Sequence, residues 1–137
     1  MFMPARAAQE IVSSCIATAE AAATACDDCA AWALQLRGSA LDRCVLLALD
    51  CAEICRLTAS LVMRGSEVSA SAARFCAEIC DLCARECRSH AHFHTELTAQ
   101  RCHRCALACR RFAQPTAEPT LPGEGETVEA PRRYFSS

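Results

Sequence analysis

Between Ala5 and Gln114 the chain contains no proline, and only Gly38 and Gly65 interrupt that stretch. Proline removes a helical hydrogen bond and glycine costs backbone entropy, so a run nearly free of both propagates as helix. Alanine, leucine, arginine and glutamate fill much of it, which strengthens the same reading. Gly38 and Gly65 read as positions just past helix C-termini, where a left-handed conformation closes the helix. Each is followed by a serine, a good N-cap, and Ser39-Ala-Leu-Asp42 has the spacing of a capping box. A third break falls in Ser89-His-Ala-His-Phe-His-Thr95, with Thr95 as the N-cap. The expectation is four helices over about 4–37, 40–64, 67–92 and 95–113. Connections this short force consecutive helices to run antiparallel. Residues 1–113 therefore read as an all-α, up-down-up-down four-helix bundle. Residues 114–137 hold four of the five prolines and no cysteine, and read as an extended or disordered tail.

Thirteen of the 137 residues are cysteine, and all thirteen fall within the helical stretch. An α-helix turns by roughly 100° per residue, so each helix gathers its cysteines on a narrow stripe. The first carries Cys15, Cys26 and Cys29; the second Cys44, Cys51 and Cys55; the third Cys76, Cys80, Cys83 and Cys87; the fourth Cys102, Cys105 and Cys109. Alanines share these stripes, which marks them as the inward faces of the bundle. Buried cysteine packs like a small hydrophobe, and one or two inward thiols need no further reading. A core lined by thirteen is chemically specialised, because leucine or isoleucine would fill the volume better. Helical rise places Cys44 and Cys87 nearest the histidine-bearing end. Cys29, Cys83 and Cys102 come next, then Cys26, Cys51, Cys80 and Cys105, then Cys55, Cys76 and Cys109, with Cys15 alone at the far end.

Net charge is −2, which gives no electrostatic argument for nucleic acid or an anionic membrane. No stretch of about 18 apolar residues reads as a transmembrane helix. The opening Met1-Phe-Met-Pro-Ala-Arg6 lacks the pattern of an export signal, so the expected location is the cytoplasm. In that reducing compartment a dense cysteine set points to metal or redox chemistry rather than a disulfide framework. Neither a serine–histidine–acid set nor a paired-carboxylate set is apparent, so no enzymatic role is expected.

The metal can be narrowed by spacing. Cys26–Cys29, Cys80–Cys83 and Cys102–Cys105 have C-x-x-C spacing, yet all lie inside continuous helical patterns rather than at zinc knuckles. The iron–sulfur run ending in Cys-Pro and the haem motif C-x-x-C-H are both missing. Cu(I) is soft, prefers thiolate and accepts few ligands, so bridging sulfurs supply a continuous series of sites. A zinc or general soft-metal sink and a thiol-based redox regulator stay open as alternatives. His90 projects near the cysteine direction of the third helix and is a candidate ligand or relay at the bundle mouth. His92 and His103 project away from the stripes. Entry of metal is expected at this end, with Ile11, Val62 and Phe112 packing around Cys15 at the other.

Cys51-Ala-Glu-Ile-Cys55, Cys76-Ala-Glu-Ile-Cys80-Asp-Leu-Cys83-Ala-Arg-Glu-Cys87 and Cys102-His-Arg-Cys105-Ala-Leu-Ala-Cys109 carry a family likeness. Over roughly residues 5–113 the chain resembles the bacterial copper storage proteins, specifically their cytosolic branch. The resemblance implies a cysteine-lined four-helix bundle that binds multiple Cu(I) ions per chain, for storage or detoxification. It also implies a homotetramer. Leu46, Leu49 and Leu107 project away from the cysteine stripes, which independently suggests contact between bundles.

Overall fold

The computed structural model describes residues 4–115. They form α1 (Ala5–Leu34), α2 (Asp42–Met63), α3 (Ser69–Arg88) and α4 (Phe93–Ala113). All four expected helices are present, with ends that differ by a few residues. The expected tail lies outside the described residues except for Gln114, which leaves α4 in extended conformation, and Pro115.

The turns explain the differences. Between α2 and α3, Gly65 adopts φ +66°. Its N–H donates to the Val62 carbonyl at 3.0 Å, and the Ser66 N–H donates to the Leu61 carbonyl at 2.9 Å. These paired bonds satisfy the last carbonyls of α2, as the glycine's position foretold. Ser66 also accepts the Val68 N–H at 3.2 Å. The α1–α2 turn is looser. α1 stops at Leu34, where Gln35 and Leu36 bond back to Trp32 and Ala33, each at 3.1 Å. Gly38, at φ +107°, lies beyond the helix end rather than at its closing position. The capping box expected at Ser39 does not form: α2 begins at Asp42, and Ser39 supplies only its carbonyl to the Asp42 N–H. α3 ends at Arg88, and α4 starts two residues before Thr95. Thr95 is thus inside the first turn, where its buried hydroxyl accepts the His92 N–H at 3.3 Å.

α1 packs against α2 and α4, and α3 packs against the same two, so the helices stand at the corners of a square. Every cysteine faces inward and is at most 1% exposed. Most of the remaining core is alanine, with Ile11, Leu41, Val45 and Val62 toward the ends. The largest fully buried side chains are threonines and cysteines. Small side chains let helix axes approach closely, which brings thiols from different helices within contact. Met63 is 62% exposed and makes no contribution to that core. Outside, Asp27 pairs with Arg56 across α1–α2, Asp81 with Arg110 across α3–α4, and Arg43 with Glu86 across α2–α3. No helix among the described residues is long and apolar enough to cross a membrane.

Candidate metal centre

The inward stripes meet as stacked groups of sulfur. Cys26, Cys51, Cys83 and Cys102, one from each helix, have all four sulfurs within 4.8 Å of one another. Cys55, Cys76, Cys80 and Cys105 form a second group to the same limit, and Cys29, Cys44 and Cys87 a third. The remaining two thiols pair across α1–α4, with Cys15 Sγ 3.8 Å from Cys109 Sγ. Cys15 is therefore not alone, and Cys29 lies with Cys44 and Cys87 rather than one layer below them. The sequence-derived order along the axis holds, but its layer boundaries are shifted because helix starts and turn lengths differ from those expected.

The two four-thiol groups and the pair are linked. Cys51 Sγ lies 3.8 Å from Cys102 in its own group and 3.7 Å from Cys80 in the next. Cys55 is 3.7 Å from both Cys80 and Cys76, and Cys105 is 3.7 Å from Cys109. A disulfide needs sulfurs about 2.05 Å apart, so these are contacts between free thiols. Each of the three groups holds sulfurs poised to ionise beside others that keep their protons, and Cys51 and Cys76 are among the lowered ones, chiefly through Cys102 and Cys105 respectively. Cys29 is lowered to about 3 by the thiols of Cys44 and then Cys87. Cys44 is pushed up to about 12, first by donating to Cys29, with burial adding to the shift. Cys83 is lowered to about 5, chiefly by Cys102, and Cys105 to about 6, chiefly by Cys109. Cys102 and Cys109 are themselves raised, mainly by donating to Cys26 and to Cys105 respectively. A stack of soft sulfur ligands with ready thiolates in each of the three groups is suited to soft cations.

The copper storage protein family model matches residues 8–114. The chain belongs to the copper storage protein family. Among solved structures it is similar to apo copper storage protein 3 of Bacillus subtilis, at 31% identity and TM-score 0.70, covering 74% of this chain and 98% of that one. Cu(I)-bound copper storage protein BsCsp3 superposes with TM-score 0.73 at 30% identity, over 76% of this chain and 99% of the other. The cysteine-rich protein YhjQ of Bacillus subtilis is 34% identical over 73 residues, which is 53% of this chain and 68% of the relative.

Around this family's thiol core, the histidine end has a structure that residue spacing did not reveal. His90 Nε2 lies 2.9 Å from Glu86 Oε2, while Glu86 Oε1 accepts from Arg43 at 2.6 Å. His90 is thus held at the edge of α3 and outside the three sulfur groups. His92 and His94 pack on Trp32, with ring centroids 5.0 and 4.8 Å away. His94 and Thr98 both act on Cys29, and each helps lower it. Thr98 is one turn before Cys102 on α4 and stands where a fourth thiol would complete the Cys29 group. His103 is exposed, as expected.

The sequence also carries an internal repeat with a period of 54 residues. The spacing that separates Cys26 from Cys80 also separates Cys29 from Cys83, Cys51 from Cys105 and Cys55 from Cys109. The surroundings repeat as well: Cys26-Asp-Asp-Cys29-Ala30 matches Cys80-Asp-Leu-Cys83-Ala84, and Arg56 matches Arg110. The ion pairs Asp27–Arg56 and Asp81–Arg110 accordingly both span 29 positions. The α1–α2 and α3–α4 hairpins are two versions of one thiol-bearing unit.

Proposed function

We propose that this chain stores Cu(I), with all thirteen cysteines, from Cys15 to Cys109, as its ligands and without any catalytic step. The sulfur stack carries the reading: three thiol groups and the Cys15–Cys109 pair, with the two four-thiol groups and the pair linked through contacts such as Cys51–Cys80 at 3.7 Å. An ion bound by two sulfurs can share each with a neighbouring ion, so capacity approaches one ion per cysteine. The copper-bound relative of the same fold supports the choice of metal. His90, fixed by Glu86 beside the Cys44–Cys87 end, serves as a relay for incoming ions. The unit that does this is the bundle, residues 1–113, and the site of action is the cytoplasm, where it stores copper or keeps it from doing harm.

The working form is a homo-oligomer, a tetramer by family resemblance. Leu46, Leu49 and Leu107 remain 64%, 42% and 55% exposed on α2 and α4, which supports contact between copies. The deciding experiment is an anaerobic Cu(I) titration of the reduced protein, read by elemental analysis. On the order of ten or more ions per chain are expected if sulfurs bridge. Saturation at two or three ions would overturn the storage reading, and a monomer mass by light scattering at all concentrations would overturn the oligomer.

A further inference from the structure

Apart from its thiols, the core that receives the ions has no ionisable side chain. Among the described residues, the only buried polar side chains are Thr58, Ser69, Thr95 and Thr98. Each hydroxyl already bonds a backbone carbonyl, and no buried side-chain nitrogen or oxygen lacks a partner. Arg43, Arg56 and Arg110 lie on the outside and are engaged by Glu86, Asp27 and Asp81, and His94 acts on Cys29 from the histidine end, outside the sulfur groups. Nothing inside can offset surplus negative charge, and net charge buried without a partner is costly.

The charge of a loaded thiol group is then set by the valence of the ion. A monovalent ion entering at one thiol displaces its proton, and the resulting thiolate–ion unit is neutral. Repeated along the stack, that exchange fills the core without accumulating charge. A divalent ion in a complete four-thiolate shell leaves two negative charges behind. The two groups able to offer such a shell, those of Cys51 and Cys80, touch at 3.7 Å, so two such centres would lie against each other. Keeping a divalent centre neutral restricts it to two thiolates, with protonated thiols as poor ligands for the rest.

We propose that a core without a buried cation selects its cargo by valence. It admits soft monovalent ions, silver(I) as well as copper(I), at up to one per thiol, and it turns away zinc(II) despite offering four sulfurs in one place. Thiolate softness alone does not make this distinction, since zinc is also a thiolate metal. The inference rests on the copper-storage reading, and its test keeps the two separable.

The full chain, reduced and metal-free, is loaded anaerobically in three arms with Cu(I), Ag(I) or Zn(II). Each arm passes through gel filtration with a weak chelator in the buffer, and bound metal is counted against protein. Silver is expected in the same number as copper, and zinc at less than one ion per chain. Zinc retained at one ion per four-thiol group, or silver at a small fraction of the copper number, would overturn valence selection while copper storage stands. Failure of the copper arm would remove both readings.

Discussion

Cys51 of α2 and Cys80 of α3 touch across the boundary between two thiol groups, sulfur to sulfur at 3.7 Å. Cys51 also contacts Cys102 within its own group and Cys55 one turn along its helix, at 3.8 Å each. Cys51 is the one sulfur of its group within 3.8 Å of the next, through Cys80 and Cys55, which makes it the expected junction for ions passing between the two four-thiol groups. Cys51→Ala is expected to make Cu(I) uptake biphasic, with one half filling at the usual rate and the other more slowly. Stopped-flow transfer from a coloured Cu(I) chelator measures this, and a single phase at the wild-type rate would refute it.

The core is assembled from small side chains, so its stability responds to size in an unusual direction. Cys80 is fully buried among Cys51, Cys55, Cys76 and Cys105. Leucine is more hydrophobic than cysteine, but its volume has nowhere to go between helices that pack on alanine. Cys80→Leu should therefore destabilise the metal-free bundle by about 1–3 kcal/mol. Chemical denaturation followed by circular dichroism, with reductant present, provides the comparison. The wild-type apo protein should itself give a strongly helical spectrum, and equal or greater stability of the variant would contradict the packing argument.

The histidine end shows how much of this was legible in residue order. Helix number, the inward direction of all thirteen cysteines and the family were readable, because period and punctuation act locally. Layer membership was not, since it depends on where each helix starts. Gly38 was expected to close α1, yet the helix stops at Leu34, and Thr95 was expected to cap α4 but sits inside its first turn. Small errors at such ends slide whole cysteine stripes against one another. The same sliding is built into the fold: Cys26 and Cys80 occupy matching positions of the two hairpins, yet they belong to adjacent groups. The partners of Trp32, by contrast, are set by tertiary packing of the 3–4 turn and leave no periodic signal.

Copper retention should depend on pH with a definite sign. Cys29, lowered to about 3, and Cys83, lowered to about 5, offer thiolates at neutral pH. Cys44, pushed up to about 12, must surrender a proton when an ion binds. Any ligand whose pKa lies above the ambient pH makes binding release protons, so rising pH favours the bound state. Apparent Cu(I) affinity, measured against a pH-insensitive chelator, should increase from pH 6 to pH 8. The first ion, bound at Cys29, should show the weakest dependence. A flat profile for the later ions would show that their thiols are already ionised.

The direction of filling follows from the contrast between the bundle's ends. At one end the Cys29, Cys44 and Cys87 group lies beside His90, His94 and the sole tryptophan, Trp32. At the other, Cys15 and Cys109 are fully buried, with Ile11 and Val62 among the apolar residues of that end. An incoming Cu(I) ion needs successive soft or borderline ligands, and imidazole followed by thiolate supplies them at the histidine end alone. The ready thiolate of Cys29 then makes its group the first acceptor. Trp32 stands three residues beyond Cys29 on α1, so its fluorescence is a local reporter of that first step. Its emission should change with the earliest equivalents of Cu(I) and stay constant as later ions fill the stack. Combined substitution of His90 and Cys87 by alanine should slow uptake far more than it reduces final capacity. A Trp32 signal that responds only near saturation, or first occupancy beside Cys15 in a partly loaded crystal, would show that filling runs the other way.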